Sequence, residues 1–301
     1  MTRRDRDLLI VAAFIGCVLF PFLGKAFHVD EPFFLAIARQ ILRDPWHPFA
    51  FDYNWYGSAV PMATINNTPP LLGYLLAAAY RLTGGGEAVM RLAFFPFDLA
   101  AGLALYLLAA RFLKAPLLPV LIVIASPAYM INMNHLMAEK VMAGFAFPSL
   151  YALVRGVDED RVGWLWLSAA LFAAALLTKY NAIFIALPAG CYLWRRVPFA
   201  RLAGYFAVAG LPLLAYLLAN TLSRGGAWDS ALGVTSASSA MVWSAWSHKL
   251  RSYLAFVGGC GVVTVFWPPF LPRPRKVVLW LCAAAVAVLF MPWFDLAPLV
   301  R

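Results

Sequence analysis

The chain has 301 residues, of which 63% are hydrophobic and 13% charged, and its net charge at pH 7 is +10. A soluble protein of this length could not shield so much apolar surface from water, so the composition excludes a soluble globular domain. The basic residues stand in short clusters between apolar segments and form no aromatic-interleaved stripe, which argues against nucleic acid as a partner. The composition predicts an all-α protein, a polytopic transmembrane helical bundle.

The first apolar segment, residues 8–27, is long enough to cross a bilayer. Basic residues precede it and no small-residue cleavage site follows it, which predicts an uncleaved span with a cytoplasmic N-terminus. With the later apolar segments this gives about nine spans. We expect the later spans at 88–110, 115–131, 141–154, 163–178, 181–194, 202–221, 252–271 and 277–298.

The apolar segment 69–83 decides the topology. If it crosses the bilayer, most basic clusters fall outside the cell; if it lies at the interface, they join the basic N-terminus in the cytoplasm. The positive-inside rule favours the interfacial arrangement. We therefore predict a first extracytoplasmic loop over 28–87 that carries interfacial amphipathic helices, and a second large outer loop over 222–249. The clusters concerned are Arg111/Lys114, Arg155/Arg161, Arg195/Arg196/Arg201 and Arg273/Arg275/Lys276.

Two adjacent carboxylates, Asp30 and Glu31, follow the first span. Carboxylates are costly to hold near lipid, so they suggest a functional site, although either could simply cap a helix. With Pro32 at the first helical position, the pattern of residues 32–43 predicts an amphipathic helix. The topology brings this pair to the same outer face as Arg91, the 132–140 turn and Lys179, where an active site or a transport mouth could form.

Metal binding has little support in the sequence. His28, His47 and His135 could join Asp30 and Glu139, but no ligand spacing connects them, so we predict no metal site. Paired carboxylates leave a divalent cation open as a cofactor, and no other cofactor is indicated. The four cysteines lie in apolar stretches without Cys-x-x-Cys spacing and predict neither a disulfide nor a metal site.

Several short motifs occur in a characteristic order. Asp30-Glu31 is followed by the amphipathic helix, by a Pro69-Pro70-Leu71 helix start and by a glycine-rich break. Met90-Arg91-Leu92 then stands at the entry to the next span. Met137-Ala138-Glu139, a Leu-Thr-Lys turn at 177–179 and an Arg195-Arg196 stop come later. Over about residues 5–220 the chain resembles the GT-C polytopic glycosyltransferases, in particular the protein O-mannosyltransferase and aminoarabinose-transferase-like group.

The resemblance implies an integral membrane glycosyltransferase that moves a sugar, with inversion, from a polyprenyl-phosphate donor to an outer-face acceptor, which is a protein, a lipid or a glycan. Asp30 would be the catalytic base, with Glu31 tuning its pKa as a neighbouring like charge. Arg91 and Lys179 would bind the donor phosphate, and Glu139 would orient acceptor or substrate hydroxyls. The implied location is the bacterial inner membrane, within the cell envelope.

The chain also departs from the family pattern. Asn67 and Thr68 stand where relatives carry Glu-Lys or Lys before Pro-Pro, so one expected phosphate-binding cation is missing, and Glu139 replaces the usual Asp. Relatives continue beyond the point at which this sequence stops, so we expect residues 1–301 to form a single GT-C-like domain that is C-terminally truncated or compact.

Two other function classes remain open. One is a polyprenyl-linked lipid transporter or flippase, against which stand the lack of an internal repeat and the position of most ionisable groups at span ends. The other is a noncatalytic membrane scaffold, which isolated carboxylates pointing away from any cavity would favour.

Overall fold

A computed structural model describes residues 1–224, apart from Val29, Tyr56 and Asn67 and the side chains of residues 221, 223 and 224. The described residues other than 126–128 belong to one compact unit, and all that follows concerns that unit. The expected spans at 252–271 and 277–298, and nearly all of the outer loop at 222–249, lie outside the described residues.

Within that part of the chain the secondary structure is almost entirely helical, as the composition predicts. A short antiparallel hairpin interrupts it, with Tyr53 opposite Val60, and 3₁₀ turns occupy Phe20–Phe22 and Tyr180–Ile185. The elements are α1 (Arg3–Leu19), α2 (Glu31–Arg43), β1 (Asp52–Asn54), β2 (Ala59–Pro61), α3 (Met62–Ile65), α4 (Leu71–Thr83), α5 (Glu87–Phe112), α6 (Leu117–Ile124), α7 (Pro127–Met133), α8 (Ala138–Asp158), α9 (Val162–Thr178), α10 (Ala186–Leu193) and α11 (Phe199–Arg224).

Two of the described helices are long and apolar enough to cross a membrane by length and composition: Glu87–Phe112 and Phe199–Asn220. The apolar helices Leu71–Thr83, Val162–Thr178 and Tyr180–Leu193 are shorter. The expected span at 115–131 is divided between α6 and α7. The all-α helical class is confirmed, whereas the count of about nine spans stays a prediction.

Small and hydroxyl-bearing residues bring the central helices α5, α8 and α9 close together. A Cβ on Gly144 of α8 would lie 2.8 Å from the Cβ of Phe97, so only glycine allows this approach of α5. The hydroxyls of Ser149 and Ser168 each donate to the other's carbonyl at 2.8 Å. The Tyr205 hydroxyl, 3.0 Å from the Ser168 hydroxyl, links α11 to the same pair. These contacts hold α5, α8, α9 and α11 together as a packed scaffold.

Helices α2 and α4 pack against each other on this scaffold. Gly73 of α4 admits Ile37 and Ile41 of α2, since a Cβ there would lie 2.8 and 2.9 Å from their side chains. At 13 residues, α4 is about 20 Å long, well short of a bilayer core of about 30 Å. Its length therefore agrees with an interfacial helix, and Gly84 ends it in the left-handed conformation at φ 74°.

Candidate active site

A cavity of about 400 Å³ lies where the start of α2, the start of α8 and the end of α9 meet. It holds three of the five residues singled out from the sequence: Asp30, Glu139 and Lys179. Asp30 precedes Glu139 by 109 positions, and Glu139 precedes Lys179 by 40, so the fold is what brings them together. The cavity is lined by Asp30, Phe34, Thr68, Met137, Ala138, Glu139, Lys179, Tyr180 and Asn181.

Asp30 is the N-cap residue of α2, one of the two alternatives that the sequence offers. The helix begins at Glu31, so Pro32 is its second residue, whereas the sequence predicts it at the first position. The Asp30 side chain nevertheless makes no capping hydrogen bond. It is half-buried, and no ion pair reaches it from residues 1–224. A carboxylate that neither caps its helix nor forms an ion pair is available to a molecule in the cavity.

Glu139 and Lys179 form an ion pair that also lines the cavity. Glu139 lies in the first turn of α8, and Lys179 is the residue that ends α9. The Lys179 ammonium donates to Glu139 Oε1. The two side chains are 31% and 24% exposed, so both keep access to the cavity. Burial raises the pKa of the neighbouring Tyr180, which keeps its phenol neutral and able to donate a hydrogen bond.

Glu31 and Arg91 lie apart from this cavity, in a buried ion pair. They are 0% and 3% exposed, and Arg91 Nη2 lies 3.1 Å from each carboxylate oxygen of Glu31. Backbone N–H groups complete the carboxylate's shell, from Leu136 at 2.9 Å and from His28 at 3.0 Å. Glu31 therefore ties the segment before α2 to the segment before α8.

The remaining donors of Arg91 bind backbone carbonyls. Nη1 donates to Leu23 at 3.3 Å and to Lys25, Nη2 to Ala26 at 3.4 Å, and Nε to Asn134 at 3.5 Å. This placement differs from the expectation that Arg91 shares a water-facing cleft with Asp30. The physical reason is that a fully buried carboxylate needs a buried counter-ion, and Arg91 faces Glu31 from α5.

Two features of this region do not follow from the sequence analysis. Lys25, His28 and His135 lie beside Glu31, with Lys25 Nζ 3.4 Å from His135 Nε2. Burial, and next the Lys25 ammonium, lowers the pKa of His135, so its ring is neutral at pH 7. Tyr180 lines the cavity although no motif marks it.

A second buried ion pair supports the start of α8. Asp98, in the middle of α5, accepts a hydrogen bond from the Lys140 ammonium at 3.0 Å, and both side chains are almost fully buried. Lys140 directly follows Glu139, so the pair fixes which way the first turn of α8 faces. A charged residue in an apolar segment does indicate a partner, but the sequence alone does not identify Lys140.

The chain belongs to the dolichyl-phosphate-mannose-protein mannosyltransferase family, whose model matches residues 67–217. It is thus an integral membrane protein of the GT-C superfamily, and the resemblance noted in the sequence is confirmed.

One solved structure shares the fold: the crystal structure of ArnT from Cupriavidus metallidurans in the apo state, with a TM-score of 0.55 and 17% identity. The match covers 77% of this chain and 44% of that one, so this chain spans less than half the length of that relative. No curated protein matches the chain.

Proposed function

We propose that the chain is a membrane glycosyltransferase that moves a sugar from a polyprenyl-phosphate donor to an acceptor, with inversion at the anomeric carbon. One observation carries this proposal: the unpaired carboxylate of Asp30 and the Glu139–Lys179 ion pair line the same cavity of about 400 Å³. Sites for small ligands commonly have volumes of about 300–1,000 Å³, so a sugar phosphate fits while the prenyl chain extends into lipid.

Asp30 acts as the general base in this proposal. An acceptor hydroxyl is a weak nucleophile, and the Asp30 carboxylate accepts its proton as the new bond to the anomeric carbon forms. The bond between that carbon and the phosphate oxygen breaks at the same time, and its electron pair leaves with the polyprenyl phosphate. Attack from the side opposite the leaving group inverts the anomeric configuration.

Lys179 stabilises the leaving phosphate. Negative charge grows on the phosphate oxygen as the bond breaks, and a fixed ammonium group lowers the energy of that state. Glu139 holds the ammonium in place and has a second oxygen with which to accept a hydrogen bond from a sugar or acceptor hydroxyl. Tyr180 adds a neutral donor to the same cavity, and Thr68, whose hydroxyl donates to Asn66 Oδ1 at 2.7 Å, adds an acceptor.

Arg91 and Glu31 have a positioning role in this proposal. Their buried pair joins the segment before α2 to the segment before α8. Asp30 lies at the end of the first segment, and Glu139 lies in the first turn of α8, directly after the second. The geometry therefore favours positioning by Arg91 over the phosphate binding that the family resemblance implies. The cavity would open on the outer face of a bacterial inner membrane, toward an acceptor that is a protein, a lipid or a glycan.

A flippase is the second candidate, and one observation favours it. Asp98, which pairs with Lys140 of α8, lies in the middle of α5, a helix long enough to span the membrane, where transporters place ionisable groups. A scaffold is less favoured because Asp30 and Glu139 both face a cavity.

The experiment that tests the proposal incubates the purified protein with a panel of polyprenyl-phosphate sugars and an acceptor mixture, and measures release of polyprenyl phosphate. We expect turnover of at least one donor, and we expect Lys179→Met to lower kcat/KM for that donor by about 10²–10³-fold, as loss of one transition-state donor does. Lys114→Met is the matched control, because Lys114 is exposed and does not line the cavity. Movement of donors across vesicle bilayers without their consumption would instead establish the flippase.

A further inference from the structure

We propose that His28, Glu31 and His135 form a binding site for a divalent transition metal of the Zn²⁺ class, beside the sugar-transfer cavity and distinct from it. One potential ligand atom from each residue lies within 4.8 Å of the other two. Two imidazoles and one carboxylate are a ligand set that zinc accepts, with a fourth position left for water.

The two imidazole rings are already arranged around the carboxylate. They stack face to face, with centroids 4.6 Å apart and planes 13° from parallel. His28 Nδ1 lies 3.6 Å from one oxygen of Glu31, and His135 Nδ1 lies 4.0 Å from the other. Ligand atoms around tetrahedral zinc are about 3.3 Å apart, so side-chain movements of less than about 1.5 Å close the site.

Both facing nitrogens lack a partner. His28 Nδ1 and His135 Nδ1 are buried and accept or donate no hydrogen bond within the part of the chain that the structure describes. His135 is 9% exposed as a residue. Buried ring nitrogens without hydrogen bonds are costly, and a metal ion between them and Glu31 would remove that cost.

The carboxylate is held as a metal ligand needs to be. Glu31 accepts hydrogen bonds from the backbone N–H of His28 and from that of Leu136, next to His135. The two backbone segments that carry the imidazoles therefore also fix the carboxylate between them. Hydrogen bonds of this kind orient ligands and raise metal affinity.

Two cations oppose metal binding. Arg91 Nη2 lies 3.1 Å from both carboxylate oxygens of Glu31 and competes with a metal ion for them. Lys25 is the second cation. Its ammonium lies 3.4 Å from His135 Nε2 and favours the tautomer in which Nδ1 carries the proton. For His135 to bind a metal through Nδ1, that proton must move to Nε2 and the half-buried Lys25 must turn away. Removal of the Lys25 charge should therefore tighten metal binding, an effect that a purely structural histidine cluster does not predict.

The test is equilibrium dialysis of the purified, chelator-stripped full chain against Zn²⁺, with bound zinc measured by elemental analysis. We expect one zinc per chain beyond any background, at least about tenfold weaker binding in His28→Ala and in His135→Asn, and tighter binding in Lys25→Met. His47→Ala is the matched control, because His47 is an exposed histidine that pairs with Asp44 at the other end of α2.

A second measurement separates lost ligands from lost folding. Zinc should raise the thermal unfolding temperature of the unmodified protein and of His47→Ala, and should not raise that of His28→Ala. Equal zinc binding by folded His28→Ala and by the unmodified protein would overturn the proposal, and so would the absence of binding to the folded unmodified protein. Neither readout requires sugar transfer, so this proposal can fail while the proposed function stands.

Discussion

Replacement of Asp30 by Asn is expected to lower the rate of sugar transfer by about 10²–10⁴-fold, the range that a general base contributes. Asn has nearly the same shape as Asp, but its amide does not accept the proton of the acceptor hydroxyl. Because the Asp30 side chain makes no capping hydrogen bond, the substitution removes no contact that holds α2. Turnover at saturating donor and the thermal unfolding temperature are the quantities to measure, and only turnover should fall.

Asp44→Asn provides the matched control for this prediction. Asp44 is the C-cap residue of the same helix, and its carboxylate binds the exposed His47. This variant removes one negative charge from α2 at the far end from the cavity, so transfer should stay within about twofold of the unmodified protein, since no group of the cavity changes. Full transfer activity in Asp30→Asn would remove Asp30 from the mechanism.

Replacement of Arg91 by Met should destabilise the protein by about 3–5 kcal/mol, the cost of breaking a buried ion pair by removing one partner. The Glu31 carboxylate would keep two backbone donors but lose the guanidinium group that pairs with it. The backbone carbonyls of Leu23, Lys25 and Ala26 would lose their shared donor in the same step. Thermal unfolding of the detergent-solubilised variant measures the loss.

A charge-neutral double variant distinguishes an ion pair from general packing. Glu31→Gln with Arg91→Met should recover part of the stability, because no uncompensated charge remains buried. Arg43→Met, at an exposed position in the last turn of α2, should change stability by less than about 0.5 kcal/mol. If Arg91→Met unfolds at the temperature of the unmodified protein and only donor affinity falls, Arg91 binds the phosphate as the family resemblance implies.

The local features of the fold were predictable from short-range sequence rules. An acidic residue before Pro32 predicts the start of α2, and Gly84 after an apolar run predicts the end of α4. The family motifs were sufficient to identify the superfamily. Charge topology also predicted that Asp30, Glu139 and Lys179 lie near one another, and in the structure they line one cavity, whereas the membrane face on which it opens stays a prediction.

The pairing of the charged groups was not predictable. Asp30 and Glu31 are adjacent, and successive residues at a helix start point about 100° apart, so one faces the cavity and the other the core. Which of the two faces the core depends on the position of Arg91, 60 residues after Glu31. By contrast, the break between α6 and α7 inside the expected span at 115–131 does have a local signal. Pro127 begins α7 directly after Ser126, and proline favours the first turn of a helix but disrupts a helix interior. The apolar flanks favoured one span over this signal.

The central claim is that the cavity of Asp30, Glu139 and Lys179 binds the donor. Its most direct test is photo-crosslinking with a photoreactive polyprenyl-phosphate sugar, followed by mapping of the labelled peptides by mass spectrometry. We expect labels on peptides that contain residues 30–34, 137–139 or 179–181, and we expect unlabelled donor to suppress them. Labels that unlabelled donor suppresses, but that lie only on other parts of the chain, would contradict the central claim.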